Sequence, residues 1–437
     1  MAACVQAVEQ GRSLTDSLAA LEPAWRPGVQ ALSFEVLRQL GLARALLAEL
    51  APRRPDPPVR ALLQTALALL QTDTSGDVPP SAAGMERPRY SPHTLVDQAV
   101  EAAKQQRATR RQASFINACL RRYLRESADL LAQVRNQPEA RWNHPLWWIE
   151  RLQRDHPAHW QDILTANNRP GPMALRVNRR RLTRDTYAGR LHEAGMPAQA
   201  FGDDGLVLQR PYPVDRLPGF AQGDCSVQDA AAQMAAPILL QGLEQVGGLR
   251  VLDACAAPGG KTAHLLERAD LDLLALDVDA SRCERITDNL RRLGLHGLVR
   301  CADAAQPASW WDGRPFDAIL LDAPCTASGI VRRHPDVRWL RRPGDVDQLA
   351  RVQAGLLESL WPLLRPGGRL VYATCSVFLA EGEEQVQAFL ARHTEAVRQP
   401  CVGHLRPGLN VADGQFNDNV PGGHDGFFYA RIDKAGS

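Results

Sequence analysis

The sequence lacks a CxxC pair, a run of about 18 apolar residues, and both common phosphate-binding glycine motifs, GxGxxG and GxxxxGK[ST]. The missing apolar run argues against a membrane-spanning helix. The first residues, MAACVQAVEQGRSLTD, have no basic segment followed by an apolar one, so we expect no signal peptide. The nine cysteines are odd in number and scattered, which argues against a disulfide framework and a zinc site. We therefore expect a cytoplasmic protein with neither a metal nor a membrane partner.

Charge is nearly balanced overall, at +2, but it is unevenly distributed. Between Glu101 and Leu182 there are 16 Lys and Arg residues against 7 Asp and Glu residues. A basic stretch of this kind favours a polyanionic partner such as a nucleic acid. A solvated helical surface explains the same charges equally well.

The length of 437 residues predicts two or three domains. Residues 1–140 are predicted to be helical, because Leu and Ala recur at three- and four-residue spacing in FEVLRQLGLARALLAEL and VRALLQTALALLQ. A stretch rich in Pro, Gly and Ser, residues 73–92, predicts a loop within this region. Residues 141–222 are predicted to form linker helices followed by a small α+β module with the strands MALRVN and GLVLQ.

Two groups in residues 141–222 allow both a binding and a structural interpretation. Trp147, Trp148 and Trp160 are either a platform for stacking nucleobases or, more commonly, packing anchors. A basic group that follows the first predicted strand is a candidate phosphate contact; it consists of Arg176, Arg179, Arg180 and Arg181.

Residues 223–437 alternate between strand and helix patterns. The predicted strands are LRVLDA, LDLLALDVD, GLVRCAD, FDAILLDAP, GRLVYATCS and GFFYARI. Such alternation predicts an α/β fold with a mostly parallel, Rossmann-like sheet covered on both faces. In sheets of this kind, ligands bind beyond the carboxyl ends of the strands.

The turn ACAAPGGKT, residues 254–262, links the first of these strands to a helix. Its glycines allow a ligand to approach the backbone closely. Asp277 ends the second strand, 24 residues after Asp253, where a carboxylate can accept hydrogen bonds from ribose hydroxyls. Asp303 and Asp322 end the third and fourth strands. Because no phosphate loop is present, the pattern favours S-adenosylmethionine over NAD.

Two cysteines follow strands of the same predicted sheet. Cys325 ends the run FDAILLDAPC, and Cys375 comes near the end of GGRLVYATCS. Two thiols at the edge where a cofactor is expected suggest a nucleophile and a second group that assists it. The spacing alone does not say which thiol attacks.

These residues resemble a known family. DACAAPGGKT, LDVDASR, DAPCTASG and ATCS, in this order, resemble motifs of the S-adenosylmethionine-dependent RNA cytosine methyltransferases that make 5-methylcytosine. Upstream, RRQASFINACLRRYL resembles the helical RNA-binding domain of the NusB antitermination factor, and NNRPGPMALRVN resembles the start of a small RNA-binding subdomain. The combination is similar to the bacterial members that act on 16S ribosomal RNA. One mild departure is Thr326, where many members have Ser.

The resemblance implies transfer of a methyl group to carbon 5 of a specific cytosine in 16S ribosomal RNA, through a covalent cysteine–cytosine intermediate. Cys375 is the implied nucleophile, Cys325 promotes product release, and Asp322 and Lys261 assist catalysis. The implied cofactor-binding residues are Cys255, Ala256, Ala257, Pro258, Gly259, Gly260, Lys261, Asp277, Arg282, Asp303 and Asp322.

The resemblance also implies a helical, NusB-like RNA-binding domain over residues 1–140 and a methyltransferase domain over residues 223–437. We expect a monomer with no obligate protein partner. One alternative is the same chemistry on transfer RNA or DNA, although a NusB-like domain is unexpected in a DNA enzyme. A second alternative is a non-catalytic RNA-binding or antitermination factor with a decayed methyltransferase domain. The intact Asp322, Cys325 and Cys375 argue against decay.

Overall fold

The computed structural model describes residues 1–71, 90–407 and 423–436, and these residues form two compact units. The first unit contains residues 1–71, 90–170 and 331–343, and the second contains residues 171–330, 344–407 and 423–436. Residues 141–170 thus group with the helical region rather than with the α+β module, so the predicted three-domain division stays a proposal. Most of the loop predicted at residues 73–92 lies outside the described residues.

The helices of the described residues are α1 (Ala2–Glu9), α2 (Leu14–Ala19), α3 (Arg26–Arg38), α4 (Leu40–Leu50), α5 (Pro57–Gln71), α6 (Pro92–Gln105), α7 (Ala113–Val134), α8 (Pro138–Trp142), α9 (Leu146–Asp155), α10 (Trp160–Asn167), α11 (Arg184–Glu193), α12 (Ala230–Gln233), α13 (Ala235–Leu240), α14 (Gly260–Arg268), α15 (Ala280–Leu293), α16 (Val337–Leu340), α17 (Pro343–Leu360) and α18 (Glu383–Leu390). The strands are β1 (Ala174–Val177), β2 (Ala198–Phe201), β3 (Gly205–Leu208), β4 (Cys225–Val227), β5 (Leu249–Asp253), β6 (Leu271–Asp277), β7 (Leu298–Cys301), β8 (Phe316–Asp322), β9 (Leu364–Thr374), β10 (Ala396–Leu405) and β11 (Phe427–Lys434).

Capping side chains mark where several helices begin. The side chains of Ser91, Thr183 and Asp279 accept hydrogen bonds from backbone N–H groups in the first turns of α6, α11 and α15. Each such bond satisfies a donor that has no partner within the helix. Gly294, with a φ of 68°, ends α15 in the left-handed conformation that glycine adopts without strain.

In the helical first unit, helices α1 to α8 form an apolar core, and buried polar contacts bind the late segment 331–343 to this unit. Arg338 is fully buried and donates to the carbonyls of Asn143 (3.0 Å) and Asn167 (2.7 Å). The Asp336 carboxylate accepts from the Leu14 N–H (2.9 Å). These hydrogen bonds satisfy the terminal nitrogens of the buried Arg338 guanidinium, so the segment is a structural part of the helical unit.

The tryptophans of residues 141–170 pack against their neighbours. Trp148 is fully buried, and the Trp142 and Trp160 rings meet edge to face at 5.1 Å between centroids. These contacts agree with the packing interpretation of Trp148 and Trp160.

The small sheet has the order β2-β3-β1-β4, and its neighbouring strands are antiparallel. The expectation that Arg176 on β1 contacts phosphate is wrong, because its side chain is fully buried and forms a two-point ion pair with Glu267 (2.7 and 2.8 Å). Arg179, Arg180 and Arg181 are exposed. Arg180 and Arg181 pair with Asp270 (2.8 Å) and Asp224 (2.7 Å), and Arg179 is 3.9 Å from Asp204. For these three residues the phosphate-contact hypothesis stays a prediction.

The large sheet has the order β10-β11-β9-β8-β5-β6-β7. β9, β8, β5, β6 and β7 are parallel, whereas β11 and β10 are added antiparallel at one side. The predicted Rossmann-like sheet and its six strands are confirmed. The sequence pattern did not reveal β10, an edge strand whose partly exposed residues include Pro400 and Gly403 and do not alternate regularly.

Candidate active site

The two predicted catalytic cysteines lie together at one edge of the large sheet. β8 and β9 are parallel neighbours in which Asp322 is opposite Ala373. After these residues the backbone leaves the sheet at the end of each strand, and the sulfur atoms of Cys325 and Cys375 are 3.3 Å apart. The pairing register explains this proximity, because each cysteine follows its strand by only a few residues at the same edge.

A charged pair lies beside the thiols. The Nζ atom of Lys261, in the first turn of α14, is 2.7 Å from an Asp322 carboxylate oxygen and 5.1 Å from the centroid of the Phe427 ring. Burial lowers the pKa of Lys261, but the neighbouring negative charges, with Asp322 foremost and Asp253 also contributing, together raise the net pKa above the ordinary value. A negative charge on Cys375 contributes to the same rise. Lys261 is therefore a permanent cation within electrostatic reach of Cys375.

The two thiols have different surroundings. The hydrogen bond to Cys375 raises the pKa of Cys325 well above its ordinary value, and burial and the negative charge of Glu381 raise it further. Cys325 thus favours its protonated form, which can donate to the Cys375 sulfur. The two thiols thus differ in their partners: Cys325 lies against Glu381, whereas Cys375 lies within electrostatic reach of the Lys261 ammonium.

The predicted cofactor loop is linked to the end of β6. The Ala257 N–H donates to one Asp277 carboxylate oxygen (3.2 Å), and the same oxygen is 3.4 Å from the Arg282 guanidinium. Gly259 has a φ of 91°, and a Cβ there would lie 3.1 Å from Cα of Ile286. Glycine is needed at this position for its conformation and for the close approach of α15.

The other predicted cofactor residues belong to the same turn, with one exception. The buried Ala256 donates its N–H to the Leu276 carbonyl (2.8 Å), and the Gly260 carbonyl accepts from Arg176 (2.8 Å). Pro258 follows a cis peptide bond and is exposed. Cys255 is half-buried, and burial raises the pKa of its thiol. It is less suited to nucleophilic chemistry.

Asp303 is the exception, because its hydrogen bonds are local. The Asp303 carboxylate accepts from the Ala305 N–H (2.9 Å) and from the Gln306 side chain (3.0 Å). It follows β7 at the correct edge of the sheet. However, among the described residues its hydrogen bonds do not join it to the turn of residues 254–262.

Two acidic residues near the site were assigned no catalytic or binding role from the sequence. Asp253 is fully buried at the end of β5, where the Thr262 hydroxyl donates to it (2.6 Å) and burial raises its pKa to about 7. Glu381 is fully buried behind the two cysteine loops. Glu381 was missed because LAEGEEQV has the pattern of an exposed helix start, in which acidic residues are common.

The described part of the chain contains no cluster of three His, Cys, Asp or Glu side chains that could hold a metal ion. Within the same residues, no helix is both long enough and apolar enough to cross a membrane.

Comparison with family models gives two matches. Residues 240–433 match the model described as 16S rRNA methyltransferase RsmB/F. Residues 144–215 match a ferredoxin-like domain described as RsmF/B-like. The two matches correspond to the large sheet and to most of the small sheet with the helices before it.

Relatives and solved structures agree with these matches. The Ribosomal RNA small subunit methyltransferase B of Salmonella arizonae is 41% identical over 98% of this chain and 96% of its own. The crystal structure of PH0851 has a TM-score of 0.72 at 26% identity and covers 99% of this chain and 98% of its own. A methyltransferase homolog from Pyrococcus horikoshii has a TM-score of 0.53 at 28% identity and covers 66% of this chain and 99% of its own.

Proposed function

The chain belongs to the RsmB/F family of 16S rRNA methyltransferases, and on this premise we propose that it methylates carbon 5 of a specific cytosine through a covalent bond between Cys375 and the base. The observation that carries the proposal is the pair of thiols 3.3 Å apart beside the Lys261–Asp322 pair. A methyltransferase that acts on oxygen or on an exocyclic nitrogen does not require two adjacent thiols.

The chemistry explains the need for a thiol. Carbon 5 of cytosine is too weak a nucleophile to take a methyl group directly. Addition of the Cys375 thiolate to carbon 6 forms a sulfur–carbon bond and makes the ring an enamine, in which carbon 5 is nucleophilic. The Lys261 ammonium favours the thiolate before this addition. The Asp322 carboxylate accepts a hydrogen bond from the Lys261 ammonium (2.7 Å), and we assign to it contact with the amino edge of the base.

The family implies an S-adenosylmethionine-type cofactor, which supplies an electrophilic sulfonium methyl group when bound. The residues present fit such a group. Gly259 gives the loop its left-handed turn against α15, and Asp277 retains lone pairs on its carboxylate for ribose hydroxyls. The remaining oxygen of Asp253 is buried and has no hydrogen-bond partner among the described residues. We assign the loop 255–261 and Asp277 to cofactor binding.

Product release requires loss of the carbon 5 proton and elimination of Cys375. We assign assistance in this elimination to Cys325, because its protonated thiol contacts the Cys375 sulfur and can stabilise the sulfur as it leaves. Without this contact, the covalent intermediate is expected to persist.

RNA binding is assigned to the basic face of α7. Arg121, Arg122 and Arg125 on this helix are exposed or partly exposed, whereas its apolar side packs into the helical core. Arginines on an exposed helix face bind phosphates without sequence preference, so this surface contributes affinity rather than choice of base. The target cytosine must leave its stack to reach the thiols. A ribosomal RNA substrate places the enzyme in the cytoplasm.

Bisulfite sequencing of 16S ribosomal RNA and transfer RNA tests the proposal. Cells that lack the gene are complemented with the wild type, Cys375→Ala or Cys325→Ala. We expect one 16S cytosine to lose its methyl group in the deletion and to regain it with the wild type alone. If the lost methyl group is on transfer RNA, the substrate is wrong. If no cytosine changes, the enzymatic proposal is wrong and a non-catalytic RNA-binding role is favoured.

A further inference from the structure

Both cysteine loops contact one buried carboxylate, that of Glu381. Thr326, which follows Cys325, donates its N–H to Oε1 (2.8 Å) and its hydroxyl to Oε2 (2.5 Å). Ser376, which follows Cys375, donates its hydroxyl to the same Oε2 atom (2.6 Å). A single side chain therefore contacts the residue after each thiol.

The contacts of Glu381 suit its ionised form. Besides Thr326 and Ser376, the Gln353 amide donates to Oε1 (3.2 Å) and also to the Pro324 carbonyl (2.9 Å). All four groups around the two oxygens are donors, and a carboxylate is the side chain that only accepts. Burial raises the pKa of Glu381 above its ordinary value, and the hydrogen bonds from Ser376, Thr326 and Gln353 limit this rise without cancelling it.

The backbone of Glu381 is itself attached to the sheet. Its carbonyl accepts from the Tyr372 hydroxyl (2.8 Å) and from the Thr374 hydroxyl (3.2 Å), both on β9. The carboxylate thus connects the end of β9 with the loop that follows β8. Its position is set by β9, the strand that leads to Cys375.

We propose that Glu381 is a positioning residue that holds Cys325 and Cys375 at the separation needed for addition to the base and for elimination from it. The assignment of these two steps rests on the proposed function. The geometry also explains why Thr can stand at position 326, where many members of the family have Ser. Thr326 keeps the hydroxyl that Glu381 accepts, so the contact does not depend on whether the residue is Thr or Ser.

The first test is Glu381→Gln, which keeps the shape of the side chain but replaces one acceptor oxygen with a donor. The amide cannot accept all four hydrogen bonds, so one loop loses a contact. We expect kcat for RNA methylation to fall on the order of 100-fold, the scale of an ångström-sized misplacement of reacting groups. The KM for S-adenosylmethionine should not change, because Glu381 contacts no residue of the loop 255–261. Unchanged kcat would overturn the proposal.

Glu383→Gln is the matched control. Glu383 is two residues away and pairs with Arg398 on the surface, so the same chemical change there should leave kcat unchanged.

Thr326→Ser and Thr326→Val extend the test. If Glu381 acts through the hydroxyl at position 326, Ser retains activity and Val lowers kcat. If Glu381 serves stability alone, Val lowers the unfolding midpoint but leaves kcat per folded molecule unchanged.

A thiol cross-linking assay separates this proposal from the proposed function, because it uses neither RNA nor cofactor. Dibromobimane becomes fluorescent when two neighbouring thiols displace both of its bromides. The wild type should react at Cys325 and Cys375, and Cys375→Ala should give no cross-link between them. Loss of the Glu381 charge lowers the pKa of Cys325 and by itself favours alkylation of that thiol. Slower cross-linking in Glu381→Gln therefore supports positioning, even if the wild type makes no 5-methylcytosine. A cross-linking rate equal to that of the wild type would contradict the proposal.

Discussion

The loops that follow β8 and β9 carry the same residue at nearly the same place, yet they differ in what surrounds the thiol. Cys325 lies in the loop whose Thr326 makes two hydrogen bonds to Glu381, and its pKa is raised well above the ordinary value. Cys375 lies close enough to the Lys261 ammonium that a negative charge on its sulfur raises the pKa of Lys261. Equivalent positions on neighbouring strands therefore provide one thiol that favours its protonated form and one thiol that lies beside a cation. The difference arises from the side chains that each loop meets.

The largest effect should come from Cys375→Ala, which removes the proposed nucleophile. Methylation is expected to fall by on the order of 10⁴-fold or more, because no other group can activate carbon 5. The measurement is transfer of labelled methyl groups from S-adenosylmethionine to 16S ribosomal RNA. Cys401→Ala is the control, since Cys401 is a half-buried thiol on β10. If Cys375→Ala retains activity, Cys375 is not the nucleophile and the contrast between the two loops fails.

Cys325→Ala should trap the reaction after addition. The Cys375–cytosine bond then forms but breaks slowly, so a protein–RNA adduct should accumulate on denaturing gels. Turnover is expected to fall by about 100-fold, the usual contribution of an assisting acid or base. The double variant Cys325→Ala/Cys375→Ala should give no adduct. An adduct with Cys375→Ala instead would reverse the assignment of the two thiols.

Lys261→Met should make the two loops more alike, because it removes the cation near Cys375. Iodoacetamide should then alkylate Cys375 several-fold more slowly at pH 7, because the ammonium no longer stabilises negative charge on the attacking sulfur. Tryptic peptide masses distinguish Cys375 from Cys325. The Arg398→Met variant removes a surface cation that pairs with Glu383, and it should leave alkylation unchanged. Equal rates in all three proteins would show that Lys261 does not influence the thiol.

The smallest effect is expected at the end of β5, where the Asp253 carboxyl group is buried. Burial raises the pKa of Asp253 from 3.8 to about 7 in the folded protein. Between pH 3.8 and pH 7, the folded protein therefore keeps a proton on Asp253 that the unfolded chain has lost. Stability from this group is then complete below about pH 4 and is lost as the pH rises towards 7. Asp253→Asn should flatten the decline of the unfolding midpoint between pH 4 and pH 7. A decline as steep as that of the wild type would contradict the raised pKa.

Much of the site follows from the sequence because a parallel sheet brings strand ends together. Once β8 and β9 are known to be neighbours, the proximity of Cys325 and Cys375 requires no further information. The basic residue Arg176 was misjudged for the opposite reason. Its partner Glu267 is 91 positions away in the sequence, and a local pattern does not reveal a distant partner.

The sequence by itself determined the alternation of strands and helices, the order of the motifs, and the thiols and carboxylates at the ends of the strands. These features are local, since they depend on periodicity and on the residues that follow each strand. Tertiary structure decided which charges are buried, that Asp303 makes only local hydrogen bonds, and that Glu381 contacts both cysteine loops. Such features depend on distant chain segments that meet only in the folded protein, where burial and hydrogen bonding give two identical thiols different chemistry.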